Sequence, residues 1–221
     1  MSLLRYQNFI SKSACCATMC QLFSGCLLCR KYVKQGSTKN DSSFPYVVGF
    51  ISSSLWMCYG ILTENETLIL MNIIGCTLFL SYITVFYLYT SFKTVVRKQL
   101  IFTLLIIGSL LIYIHYETDQ NVLKSRVGFM GSMVGISFCA APLCNVLQVI
   151  RTKDADSLPV PMITMTAIVT FLWYLYGVCL GDTFILYPNL IGFIFSSFQL
   201  LLYFIYIKSE KHSSYAKMTV A

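Results

Sequence analysis

Seven long apolar stretches dominate this chain of 221 residues and limit what it can fold into. They lie near residues 9–29, 44–63, 67–91, 99–116, 127–150, 159–180 and 184–207. A helix needs about 20 largely apolar residues to cross a bilayer with every backbone group satisfied internally. With 57% hydrophobic and 11% charged residues, the chain has too little polar surface for a soluble domain. We therefore predict an all-α integral membrane protein with seven transmembrane helices.

The same composition excludes several classes of protein. No soluble block is long enough for a tethered catalytic domain, an ectodomain or a nucleic-acid-binding domain. The first stretch lacks the compact leucine core and small-residue cleavage site of a secretory signal, so we expect it to remain as a span. No Ser/His/Asp, paired-carboxylate or metal-ligand set converges at one depth, so we expect no enzyme, no metal and no cofactor.

The ten cysteines fall inside or at the edges of the apolar stretches. Cys26 and Cys29 form a CxxC motif, but neither a second pair nor a histidine lies near them in the sequence. We therefore interpret the cysteines as small packing residues rather than as a disulfide framework or a metal site.

Basic residues predict the orientation of the spans. With seven crossings, four basic residues fall on one side, namely Arg5, Lys12, Lys124 and Arg126, and the other twelve fall on the opposite side. By the positive-inside rule the carboxyl terminus is cytosolic and the amino terminus is outside or lumenal. We expect the plasma membrane, with the Golgi or another endomembrane as the alternative. The outer sequon at residues 65–67 (NET) lies in so short a loop that we expect it to be unused.

Two parts of the chain repeat each other. Residues 55–60 (LWMCYG) recur as residues 172–177 (LWYLYG), and residues 72–75 (NIIG) recur as residues 189–192 (NLIG). Both pairs are offset by 117 residues, which indicates an internal duplication.

The duplication predicts the architecture. The equivalent helices are four crossings apart, so the two copies run in the same direction and the fourth span serves as an inverting linker. We predict a 3+1+3 plan with a triple-helix bundle at residues 9–91, a linker helix and flanking loops at 92–126, a second bundle at 127–207 and a cytosolic tail at 208–221. Parallel-repeat transporters of this kind bind their substrate near the bilayer midplane between the repeats.

The duplicated side chains suit a neutral polyhydroxy solute. Asn72 and Asn189 carry amides that both donate to and accept from hydroxyls. Trp56 and Trp173 offer flat faces for the apolar side of a ring. The four side chains together predict a small pocket related by a pseudo-twofold axis. The alternative is that the tryptophans mark the membrane interface and the asparagines bond across helices.

Prolines and acidic residues bear on the mechanism. Pro45, Pro142 and Pro159 stand in or at the ends of spans, where a missing backbone hydrogen bond permits bending. Pro45 and Pro159 can also be read as ordinary helix starts, whereas Pro142 is flanked by apolar residues. All nine acidic residues lie outside the predicted spans, which leaves no evident proton or sodium relay and favours uncoupled transport.

The chain resembles the SWEET sugar-transporter family from about Gln21 to Tyr206. The segments that carry the resemblance are residues 55–60 with Asn72, 141–143 (APL), 150–153 (IRTK) leading to 157–159 (SLP), and 173–177 (WYLYG) with 188–189 (PN) and Gly192. The resemblance implies two triple-helix bundles joined by a linker helix, and facilitated, bidirectional movement of mono- or disaccharides by alternating access. The partners it implies are a sugar and the lipid bilayer, and a homo-oligomer remains open.

The resemblance also assigns residues. It implies that Asn72 and Asn189 bind sugar hydroxyls and that Trp56 and Trp173 flank the ring. Tyr59 and Asp182 match the extracellular gate pair of the family.

The remaining assignments concern the hinge and the pocket size. Pro45, Pro142 and Pro159 match three of the four prolines that form the cytosolic hinge in the family. Gly25 stands where the fourth is expected, and glycine also loosens a helix. Phe138 matches a size-determining pocket residue whose bulk favours a monosaccharide such as glucose, although a plain packing role fits it equally well.

Two other readings remain open at this stage. A PQ-loop carrier of amino acids shares the 3+1+3 plan, but would show Pro-Gln where this chain has Pro142 and Leu143. A seven-helix receptor also has an outer amino terminus, but lacks a halfway duplication and usually has longer loops.

Overall fold

The computed structural model describes residues 3–39, 41–140, 143–153, 155 and 158–219, with side chains described for all of these except 3–4, 138–140, 143–145, 148 and 207–219. In these ranges a 3-10 turn (Leu3–Tyr6) precedes eight helices and no strand occurs. They are α1 Gln7–Gln35, α2 Phe44–Leu62, α3 Glu66–Tyr89, α4 Lys93–Tyr116, α5 Gln120–Ala140, α6 Leu143–Thr152, α7 Val160–Leu180 and α8 Thr183–Thr219. The prediction of an all-α protein is confirmed.

Six of these helices are individually long and apolar enough to cross a membrane, namely α1, α2, α3, α4, α7 and α8. The predicted span at residues 127–150 falls on α5, which is described as far as Ala140, and on α6, which is described from Leu143. Residues 141 and 142, which lie between these two helices in the sequence, are outside the described residues. At the other end of the chain α8 continues through the predicted tail to Thr219.

The chain divides into two compact units. The first unit is Thr18–Gly131, and the second unit combines Met1–Ala17 with Ser132–Ala221. In the first unit α2 packs along α3 and also contacts α4, and in the second unit α7 packs along α8, which also contacts α6. The predicted domain boundaries stay a prediction.

The duplication extends to the apolar clusters of the two units. In the first unit Tyr32, Tyr46, Ile83 and Phe86 form a cluster with Tyr89 packed against it. In the second unit the residues 117 positions later also lie together: Val149 and Ile163 belong to a buried cluster, and Leu200, Tyr203 and Tyr206 pack against it. Positions related by the 117-residue offset therefore pack together in both units, although the sequence identity at those positions is low.

The exposed face of α4 is apolar. Its outward side chains are between 53% and 68% exposed, namely Ile101, Phe102, Leu104, Leu105, Leu111 and Ile112. The opposite face of α4 buries Val96, Thr103 and Leu110 within the first unit. So large an apolar face would be unfavourable in water and suits contact with lipid tails.

Candidate functional site

The two candidate binding asparagines occupy the same place in α3 and α8. Each lies six residues after the first residue of its helix and is half-buried. Asn72 Nδ2 donates to the Leu68 carbonyl at 2.8 Å, and Asn189 Nδ2 donates to the Ile185 carbonyl at 2.7 Å. This bond holds each amide against its own helix and uses one of its two N–H hydrogens. The Oδ1 atom and the second N–H are the groups that suit a hydroxyl-bearing ligand.

The two candidate tryptophans also share one geometry. Trp56 meets Tyr59 edge-on, with ring centroids 5.6 Å apart and an interplanar angle of 89°. Trp173 meets Tyr176 in the same way, at 5.5 Å and 80°. Each pair is three residues apart on one helix, so the helical repeat places the rings on the same face. Trp173 is 9% exposed, whereas Trp56 is more open.

A glycine in α5 makes room for the first tryptophan. A Cβ atom at Gly131 would lie 3.3 Å from Cε2 of the Trp56 indole, a tight contact. Sequence reasoning missed this residue. The spacing of Gly128, Gly131 and Gly135 in α5 was the available signal, because small residues let membrane helices approach closely.

Matching turns connect the tryptophan helix to the asparagine helix in each unit. The Asn65 N–H donates to the Gly60 carbonyl at 2.8 Å, and the Asp182 N–H donates to the Gly177 carbonyl at 3.0 Å. These residues again differ by 117 positions. The register between the two helices is therefore set in the same way in both units.

The residue before each of these turn donors has a left-handed backbone. Glu64 has a φ of 54° and Gly181 has a φ of 66°. Glycine adopts this conformation without steric cost, whereas glutamate does not. The turn of the second unit is thus the less strained of the two.

Close approach of the helices explains the repeated glycine. A Cβ atom at Gly177 would lie 2.8 Å from the Leu186 backbone nitrogen and 2.9 Å from its Cα. At Gly60 the nearest atoms would be the Leu68 Cβ at 3.0 Å and the Ile69 backbone nitrogen at 3.1 Å. A larger side chain at Gly177 would therefore force the backbones of α7 and α8 apart.

The candidate gate residue Asp182 also caps a helix. Its Oδ1 accepts from the backbone N–H groups of Phe184 at 2.9 Å and Ile185 at 3.2 Å, at the start of α8. Asn65 does the same for α3, since its Oδ1 accepts from the Leu68 N–H at 3.0 Å. Sequence reasoning missed the cap, although a short polar side chain just before an apolar helix was the available signal.

The proposed gate partner Tyr59 is 4% exposed in the first unit, and the gate role of the pair stays a prediction.

The predicted hinge position in α1 has a specific neighbour. A Cβ atom at Gly25 would lie 2.5 Å from Cε2 of the Tyr82 ring in α3. The Tyr82 hydroxyl donates to the Leu22 carbonyl of α1 at 2.9 Å. The Tyr82 ring therefore packs directly against Gly25, and any larger residue at this position, proline included, would displace Tyr82.

The other hinge positions stay predictions. Pro45 is the second residue of α2, and Pro159 directly precedes α7, so both open a helix rather than interrupt one. Pro142 lies outside the described residues, and so does the side chain of Phe138. Among the residues that the structure describes, no group of three His, Cys, Asp or Glu side chains is placed to hold a metal ion.

Comparison with known proteins shows which family and which individual proteins this chain is similar to. Residues 8–94 and 125–211 each match a family described as "Sugar efflux transporter for intercellular exchange", and the two matches begin and end 117 residues apart. "Sugar transporter SWEET1" of Drosophila pseudoobscura pseudoobscura is 38% identical over 208 residues, which cover 93% of this chain and 92% of that protein. "Bidirectional sugar transporter NEC1" of Petunia hybrida is 32% identical over 82% of this chain and 69% of its own length.

A solved structure has the same fold. The 3.7 Å structure of a eukaryotic SWEET transporter superposes with a TM-score of 0.85 and covers 94% of this chain and all of that one, at 23% identity. The predicted fold class, an all-helical 3+1+3 arrangement, is confirmed.

Proposed function

Because the chain belongs to the MtN3/SWEET family of sugar transporters, we propose that it moves a sugar across a membrane in both directions without coupling to an ion gradient. Membership of this family decides against the two alternatives, the amino-acid carrier and the receptor. It is a family of transporters rather than of enzymes.

The observation that carries this proposal is the matched pair of asparagines. Asn72 and Asn189 each leave Oδ1 and one N–H for a ligand after bonding to the carbonyl four residues back. A sugar hydroxyl both donates and accepts, so it suits an amide better than it suits a carboxylate or an ammonium group. We assign hydroxyl binding to Asn72 and Asn189, and stacking on the ring to Trp56 and Trp173.

The proposal extends to the class of sugar. A monosaccharide such as glucose is favoured over a disaccharide, because the sequence places the bulky Phe138 at a position that limits size in the family. The nine acidic residues outside the predicted spans support uncoupled movement.

The experiment is a flux assay with the purified chain in proteoliposomes. Labelled glucose should equilibrate with equal pH and equal sodium on both sides, and labelled sucrose should enter more slowly. Asn72→Ala and Asn189→Ala should each raise the half-saturation concentration about tenfold or more, because each removes hydrogen bonds to the solute.

A matched control is available on α3. Thr77 is exposed and donates to the Ile73 carbonyl at 2.9 Å, so Thr77→Val removes a polar group that is bonded to its own helix in the same manner. This variant should transport like the original chain. If both asparagine variants also did so, the amides would be helix-packing groups and the assignment would be wrong; accumulation only under a gradient would contradict uncoupled movement.

Orientation and location belong to the same proposal. Twelve of the sixteen basic residues fall on the side that we assign to the cytosol, together with the carboxyl terminus. Protease accessibility of epitopes at the two termini in sealed cells tests this orientation. The plasma membrane as the location, and the homo-oligomer, stay predictions.

A further inference from the structure

Pro188 lies inside α8 and leaves one carbonyl without its helical donor. In a regular helix the N–H of residue 188 would donate to the carbonyl of Phe184, four residues earlier. Proline has no N–H, so that bond cannot form. A carbonyl inside a packed membrane protein needs another donor.

A serine of α5 supplies that donor. The Ser132 hydroxyl donates to the Phe184 carbonyl at 3.1 Å, and Ser132 is 6% exposed. One turn later on α5, a Cβ atom at Gly135 would lie 3.7 Å from the Pro188 Cβ, an ordinary contact distance. Two small residues of α5 thus face the stretch of α8 around the proline.

This stretch of α8 directly precedes and supports Asn189. The Asn189 amide donates to the Ile185 carbonyl, the neighbour of the carbonyl that Ser132 binds. A shift of the backbone at residues 184 and 185 would therefore move the amide as well. The corresponding positions in the first half of the chain carry neither a proline nor a serine: Met71 stands 117 positions before Pro188, and Cys15 stands 117 positions before Ser132.

We propose that Ser132 is a positioning residue for sugar binding: by donating to the Phe184 carbonyl, to which Pro188 has no N–H to donate, it fixes the backbone that orients the Asn189 amide. The inference rests on the proposed role of Asn189 and adds a residue that acts through it. Ser132 itself does not touch the sugar in this proposal.

The test compares half-saturation concentrations in equilibrium exchange of labelled glucose. Ser132→Ala should raise this concentration roughly fivefold, the equivalent of one neutral hydrogen bond. Ser132→Thr, which keeps the hydroxyl, should recover most of the loss. The matched control is Ser137→Ala on the same helix, since Ser137 is exposed and donates to the Met133 carbonyl at 2.8 Å; it should behave like the original chain.

A second background shows whether Ser132 acts through the proline. In Pro188→Ala the alanine N–H can donate to Phe184, so adding Ser132→Ala should change the half-saturation concentration by less than about twofold. The original chain, Ser132→Ala, Pro188→Ala and the double variant are also compared by unfolding temperature. This comparison gives an answer even if Pro188→Ala transports poorly. The loss of stability from Ser132→Ala should be smaller with alanine at 188 than with proline.

Each outcome decides one point. An equal stability loss in both backgrounds would mean that the Phe184 carbonyl is not the relevant partner, and the proposal would be overturned. A stability loss with no change in half-saturation would leave Ser132 a purely structural residue. If Asn189→Ala abolished binding while Ser132→Ala matched Ser137→Ala, the positioning role alone would be wrong. Wild-type behaviour of Asn189→Ala would instead refute the proposed function of that amide.

Discussion

Asp182 combines two roles that a single substitution would confuse. Its carboxylate caps α8 by accepting from two backbone N–H groups, and it is also the predicted gate partner of Tyr59. Replacement of a capping aspartate by alanine costs about 1 kcal/mol. For a chain of this size that corresponds to a decrease of about 2–4 °C in unfolding temperature. Asp182→Ala should show this decrease.

Asp182→Asn separates the two roles. Asparagine caps as well as aspartate, and Asn65 performs that task at the corresponding position of the first unit. Only the attraction between the negative charge and the helix N-terminus is lost, which is about 0.3–1 kcal/mol. The unfolding temperature of Asp182→Asn should therefore lie between those of the original chain and Asp182→Ala.

The assay is thermal unfolding of the purified variants in one detergent, followed by tryptophan fluorescence. Asn65→Ala serves as the matched control, because it removes the equivalent cap where no gate role is predicted; it should lower the unfolding temperature somewhat less than Asp182→Ala, since Asn65 carries no charge. If Asp182→Asn fell as far as Asp182→Ala, or if Asp182→Ala did not fall at all, the reasoning from capping would be refuted. The gate is then tested in Tyr59→Phe and Asp182→Asn, where the cap remains: the outer mouth should become more accessible to probes.

Two further predictions concern the glycines. Gly177→Ala should destabilise the chain more than Gly60→Ala, by about 1–3 kcal/mol in unfolding experiments, because its Cβ would lie within 2.9 Å of two Leu186 backbone atoms, whereas the Cβ at position 60 would meet no atom closer than 3.0 Å. Equal losses would contradict this. Gly25→Ala should destabilise the chain by a similar amount, because its Cβ would meet the Tyr82 ring. In the double variant, Tyr82→Leu should relieve part of this loss. Additive losses of the two single variants would count against that contact.

The sequence predicts the helices and the repeat well for physical reasons. Crossing a bilayer demands long apolar segments, so hydropathy alone locates α2, α3 and α7 to within two residues at either end. The constant offset of 117 residues predicts corresponding positions for Asn72 and Asn189, and the two amides do make the same backbone bond. Hydropathy starts the span at residue 127, whereas α5 begins at Gln120, because a helix can continue through the polar residues that precede its apolar part.

Other features depend on contacts that no local pattern encodes. The Tyr82 ring fills the space beside Gly25 from 57 positions away, so the sequence shows an unusual glycine but not its neighbour. The Ser132 bond to Phe184 likewise joins two helices, and serine is too common in membrane helices to be noticed alone. The cap at Asp182 was readable from local rules, but the resemblance had already given that residue a different role.

The matched turns between α2 and α3 and between α7 and α8 make these two parts of the chain interchangeable in principle. Residues 60–69 and 177–186 have the same length, start from a carbonyl that accepts the same backbone bond and end in a capped helix. An ancestral chain carrying one copy could thus have been doubled without rebuilding either turn. The second copy has glycine where the first has a glutamate in a left-handed conformation, so the two copies of one turn carry different backbone strain.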